Sequence, residues 1–186
     1  MIRTLRTAAV AAATVALVVT ATAAPAAAKT RTFADKSEDA VAALDITKVK
    51  VTNKKHAVVV RMTVPGFKKS QLGGVIVAIR TKGAGRPMFT AMKLRTDAWA
   101  PVDLVGEDGT SFPCKGDRVS FGKRSVTVRV PQRCLGLNKK AVRVGAALAG
   151  RDWLTMEEEP KEGPDAVLDV YPKLTSDKLS PWVRYR

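Results

Sequence analysis

Cys114 and Cys134 are the only cysteines in the 186-residue chain, and their placement points to a structural crosslink rather than to catalysis. A zinc site takes four ligands, more than two cysteines offer. A catalytic thiol needs a base, and the single histidine, His56, lies far off in sequence on an earlier hairpin. A turn centred between Lys123 and Arg124 sets positions summing to about 247 opposite one another, and these two sum to 248. One residue of bulge near Pro131 brings them face to face, where cross-strand Cα atoms lie about 4.5–5.5 Å apart, within disulfide reach. The expectation is a disulfide that clasps the base of the hairpin.

Other reactive constellations fail on context. His56 belongs to a turn or opens a strand, where a lone histidine is more often packed or solvated than basic. Ser120 and Lys123 match S-x-x-K in a predicted hairpin, whereas the serine of that motif opens a helix. No nucleophile elbow, zincin motif, phosphate loop or EF-hand pattern is found in the sequence. A glycosidase pair would come from distant strands, and the long acid-free stretches make an acidic cleft hard to build. Asp35, Glu38, Asp39 and Asp45 gather oxygens of the type hard cations take, but no glycine or D-x-D pair supports a site. They read as a solvated polar lead-in. Trp99, Trp153 and Trp182 could present rings to sugars, yet three isolated tryptophans make no platform. The chain is read as a non-enzyme, with no catalytic residue, no metal and no cofactor.

Charge is the stronger signal. The chain holds 32 Lys and Arg against 17 Asp and Glu, for a net charge of +15. From Ile46 to Thr96 there is no acidic residue among twelve basic ones, and Arg118 to Arg151 has nine basic residues and again no acid. Asp152 to Asp169 reverses this, with seven acids and only Lys161 opposing. Such a basic body attracts polyanions such as phosphate-rich wall polymers, although the same charge also keeps a protein soluble. Aromatic residues make up only 5%, too few for the stacking surfaces that hold single-stranded nucleic acid, so specific nucleic-acid recognition is not expected. The candidate ligand-binding residues are Lys48, Lys50, Lys54, Lys55, Arg61, Arg129 and Arg143.

The elements that must position these residues read as strands almost throughout. Ile46–Thr52 alternates Val49 and Val51 against Lys48 and Lys50, and His56–Val64 alternates Val58, Val60 and Met62 against Arg61 and Thr63. Together they predict a hairpin with one wet face. Val75–Ile79 is a continuous apolar run, as in a strand buried on both faces. Asp108-Gly109 signals a type I′ turn, and Val119–Phe121 and Val126–Val130 flank the turn at Gly122–Ser125. Val142–Leu148 adds a further strand. The prediction is an all-β, antiparallel β-sandwich of about eight strands in a single domain, with little helix. Residues 29–44 read as a polar lead-in and residues 155–178 as an acidic loop region.

At the N-terminus, Arg3 and Arg6 precede an uncharged run from Thr7 to Ala28, and Ala26–Ala28 supplies a small-residue cleavage pattern. Residues 1–28 therefore read as a signal peptide and 29–186 as the secreted β-sandwich domain. The run is long enough to span a membrane, but it is built of alanine and threonine and broken by Pro25, so no transmembrane segment is expected. Loss of Arg3 and Arg6 lowers the net charge to about +13. A basic monomer is expected, secreted to the extracellular space or loosely envelope-associated.

Asp39–Asn53, Val128–Gly136, Val142–Val144 and Ser180–Val183 resemble segments of a largely uncharacterised family of small secreted proteins of high-GC Gram-positive bacteria. The opening strand pair is similar to that of DOMON-like and family 9 carbohydrate-binding sandwiches. That resemblance implies a β-sandwich and, in those relatives, ligands such as sugars, haem or calcium. The reading is a secreted non-enzymatic β-sandwich that binds an anionic envelope or extracellular ligand through basic strand faces. The alternative is a carbohydrate-binding module, and the third is an extracellular hydrolase.

Overall fold

The computed structural model describes residues 29–83, 85–136, 140–155, 163–173 and 178–185, so the segment read as a signal peptide lies outside the described residues. Two antiparallel sheets face each other, as the alternating strands require. The first comprises β1 (Lys29–Ala34), β2 (Lys48–Asn53), β3 (Ala57–Thr63), β8 (Arg118–Gly122) and β9 (Ser125–Pro131), in the order β1-β2-β3-β9-β8. The second comprises β4 (Leu72–Thr81), β5 (Met88–Leu94), β6 (Asp103–Gly106), β7 (Ser111–Phe112), β10 (Ala141–Gly150) and β11 (Leu168–Tyr171), in the order β11-β10-β4-β5-β6-β7. A short β12 (Val183–Arg184) pairs with the start of β10. The only helical pieces among the described residues are two 3-10 turns, Gln132–Cys134 and Trp153–Thr155.

The core lies between the sheets and is filled by every second residue of their strands. Val49, Val51, Val58, Val60 and Met62 from the first sheet meet Val75, Val77, Ile79, Val144 and Leu148 from the second, all at 1% exposure or less. Branched side chains on a pleated surface interlock in this way, and each fully buried one contributes about 1.5–3 kcal/mol.

Four local expectations are revised. The lead-in is not merely polar: residues 29–34 form β1, and Leu44 and Ile46 enter the core. Within the late acidic region, residues 168–171 form β11. Val75–Ile79 is buried on one face only, because Ile76 and Ala78 look out from the second sheet and stay half-exposed. The Asp108-Gly109 loop also differs. Gly109 N–H closes a four-residue turn on Gly106 O at 3.1 Å, and Gly109 alone among residues 107–110 has positive φ, at 80°. A type I′ turn needs positive φ at two successive residues, so this is a longer hairpin loop built on a type I-like turn with a left-handed glycine.

The disulfide joins Cys114 to Cys134 with Cα atoms 5.9 Å apart. The β8–β9 register does sum to 247, from Gly122↔Ser125 to Arg118↔Arg129. Beyond it the ladder stops, and the 3-10 turn at Gln132–Cys134, rather than a bulge within paired strands, brings Cys134 to its partner.

Candidate anion-binding face

The outer face of the five-stranded sheet follows from the same alternation that fills the core. Because Val49, Val51, Val58, Val60 and Met62 point inward, their neighbours Lys48, Lys50, Thr52, Val59, Arg61 and Thr63 point outward. Strand pairing then arranges these positions in rows. One row runs Thr32, Lys50, Arg61, Thr127, Ser120 across all five strands. The next runs Thr30, Thr52, Val59, Arg129, Arg118. A third runs Ala34, Lys48, Thr63, Ser125, Gly122. With strands about 4.8 Å apart, each row is about 19 Å long.

The chemistry of this face is uniform. Lys48, Lys50, Arg61, Arg118 and Arg129 supply five cations, and threonine or serine hydroxyls fill most positions between them. None of the five strands contains an Asp or a Glu. Lys50 and Arg61 are direct cross-strand partners, and so are Arg118 and Arg129. Like charges placed directly opposite one another destabilise a sheet. Thr30 donates its hydroxyl to Thr52 at 3.2 Å, and Arg129 donates to Gly116 O at 2.8 Å, which holds that guanidinium over the β8 edge. Exposed pairs lie at either end: Lys54 and Lys55 in the β2–β3 turn, Lys123 and Arg124 in the β8–β9 turn.

Six of the seven candidate basic residues thus belong to this face or its rim. Arg143 does not, since it points outward from β10 on the opposite sheet, where it pairs with Arg80. Arg118 was missed, although the turn-centred register that paired the cysteines also sets it opposite Arg129. His56 is exposed in the β2–β3 turn.

Of the acidic residues of the lead-in, Glu38 is exposed as expected, while Asp35, Asp39 and Asp45 have a different environment. Asp169 is 2% exposed, faces inward on β11, and accepts the backbone N–H of Ile46 at its Oδ2. Oδ2 of Asp35 and Oδ1 of both Asp39 and Asp45 are buried beside it rather than solvated. Burial is the main cause that pushes Asp169 up to about 8; the Ile46 N–H opposes this, and the charges of Asp35, Asp39 and Asp45 reinforce it. Asp39, Asp45 and Asp169 each offer an oxygen within 4.8 Å of the others, the spacing a hard cation bridges. Acidic groups also gather without a metal.

The tryptophans are dispersed. Trp99 packs on Phe121 at 5.0 Å between centroids, Trp153 lies at the Gly74 end of the second sheet, and Trp182 lies under Arg143. All three are half-buried, which does not form the coplanar exposed pair that a sugar-binding face uses. Comparison with known proteins finds no matching family model, no matching curated protein and no matching solved structure.

Proposed function

We propose that this is a secreted, non-enzymatic β-sandwich that holds an anionic polymer of the envelope or extracellular space across the outer face of its five-stranded sheet. The observation that carries the reading is the pair of like-charged cross-strand partners, Lys50 with Arg61 and Arg118 with Arg129, on strands without a single acidic residue. A protein needing charge only for solubility can intersperse acids and bases. Here the repulsion is left standing on the sheet, and a strand of phosphates, sulfates or carboxylates laid across the rows relieves it. The hydroxyls between the cations donate hydrogen bonds to the same oxygens. Binding of this kind is broad in specificity, because rows of charge and hydroxyls recognise a polymer class rather than a sequence.

The disulfide is in keeping with an oxidising compartment, and among the described residues no helix is long and apolar enough to cross a membrane. The test is retention on a heparin-like or polyphosphate resin. Wild-type protein should elute at a moderate salt concentration, since exposed charges are screened within about 8 Å at physiological ionic strength. A Lys50→Glu/Arg61→Glu variant should elute much earlier while melting no lower than wild type. Reversal at Lys54 and Lys55 should have the smaller effect of a rim. Unchanged retention of the Lys50/Arg61 variant would remove the face from the account.

A further inference from the structure

The opposite sheet carries a second site of different character. On its outer face β10 and β4 pair Arg143 with Arg80, then Gly145 with Ala78, then Ala147 with Ile76. Small residues at three of the four positions beyond the arginines leave a trough there. Its volume is about 150 Å³, and Val170, Pro172 and Leu179 wall it. A cavity of that size takes a benzene-sized apolar body. Leu179 lies over Gly145, where an added Cβ would come within 3.0 Å of it, so the glycine sets the depth.

The trough opens at the arginine end into a cleft lined by Arg80, Arg143, Lys178 and the segment Leu179–Pro181, and the two hollows share Lys178 and Leu179. Arg143 stacks its guanidinium over the Trp182 ring at 4.7 Å, and among the described residues it makes neither a hydrogen bond nor an ion pair. Its Nε is buried without a partner, as is that of Arg80. Arg80 reaches Glu107 at 3.6 Å, so one carboxylate stands against the cations of this end. Two arginines in register, each with a buried Nε that lacks a partner, cost stability that an anion between them would offset. Trp182 holds the Arg143 guanidinium by a cation–π contact, and a guanidinium can meet a carboxylate with two parallel hydrogen bonds.

We infer that this hollow binds a small amphipathic carboxylate, with its anionic head between Arg143 and Arg80 and a short apolar body in the trough over Gly145, Ala78 and Ala147. The site is independent of the polymer-binding face, which lies on the other sheet.

Hexanoate, hexanol, hexylamine and acetate are the probes, followed by tryptophan emission in a Trp99→Phe/Trp153→Phe background, where Trp182 alone emits, and by calorimetry at fixed salt. Hexanoate should bind saturably and change the emission. Hexanol and hexylamine lack the anion, and acetate lacks the body; each should bind at least about tenfold more weakly. Arg143→Gln should lower hexanoate affinity by about tenfold or more without loss of folding, because it removes one of two opposed like charges. Ala78→Leu fills the trough and should abolish the preference for hexanoate over acetate. Should Ala78→Leu fail to fold, Ala147→Val narrows the same trough more gently and should reduce that preference. Absence of saturable hexanoate binding, equal binding of hexanol, or an Arg143→Gln affinity equal to wild type would each overturn the inference.

Discussion

Gln132 donates its side-chain amide to the side-chain oxygen Oδ1 of Asn53 at 2.5 Å, deep between the β2–β3 turn and the 3-10 turn that carries Cys134. Both residues are buried, at 3% and 0% exposure. The same amide reaches Lys54 O at 3.1 Å, Gln132 N–H reaches His56 O, and Asn53 donates onward to Val183 O. This network ties the Lys54–Lys55 rim, the disulfide-bearing turn and β12 into one unit.

Gln132→Leu should therefore destabilise the protein although it adds apolar volume. It strands the buried Asn53 Oδ1 and removes the part-buried bond to Lys54 O, at a cost of about 2–3 kcal/mol. Urea unfolding of the two proteins side by side measures the difference. A neutral or stabilising result would mean that the network is dispensable.

The disulfide closes a loop with a sequence separation of 20. In the chain-entropy account a crosslink of that length contributes about 3 kcal/mol. A Cys114→Ser/Cys134→Ser variant should unfold at correspondingly lower denaturant, and intact protein should show no free thiol before reduction. Two titratable thiols in the folded protein would contradict the crosslink.

Asp169 gives stability a direction in pH. Its folded value near 8 lies above the ordinary aspartate value of 3.8 that describes the unfolded chain, so between these values the folded state holds a proton that the unfolded state has lost. The stability from this group is full below about pH 4 and is lost as pH rises through about 8. Melting temperature should fall by ~5 °C or more between about pH 5 and pH 9. Asp169→Asn keeps a neutral acceptor for the Ile46 N–H and should flatten the profile. A wild-type profile that rises with pH over this range would show that the carboxylate is charged in the fold.

Legibility in the sequence tracks how cleanly each strand alternates. β2, β3 and the β8–β9 hairpin were readable because valines and cations or hydroxyls take turns, which one packed and one wet face require. β1 is an edge strand whose apolar residue is essentially Phe33, stacked on Tyr171, and so it reads as polar lead-in. β11 inverts the pattern: Asp169 and Tyr171 face inward while Leu168 and Val170 face out, so a search for inward apolar residues passes over it.

The basic face was largely legible for the same reason, as outward positions of recognised strands. Which sheet each strand joins was not, because it depends on pairing between distant segments. Arg143 therefore seemed to belong with Arg129, and its real neighbour Arg80 went unnoticed. The burial of Asp35, Asp39 and Asp45 beside Asp169 was hidden likewise, since more than a hundred residues separate the lead-in from β11.

The most direct test of the central claim is to map an anionic polymer onto the protein by amide chemical shifts. Isotope-labelled protein titrated with short polyphosphate chains at low salt should show its clearest changes along Lys48–Thr52, Val59–Thr63, Arg118–Ser120 and Thr127–Arg129, the strands that form the charged rows. Those changes should fade together as salt is raised. Shifts that leave these four segments unmoved, or that persist at high salt, would contradict binding across the five-stranded sheet.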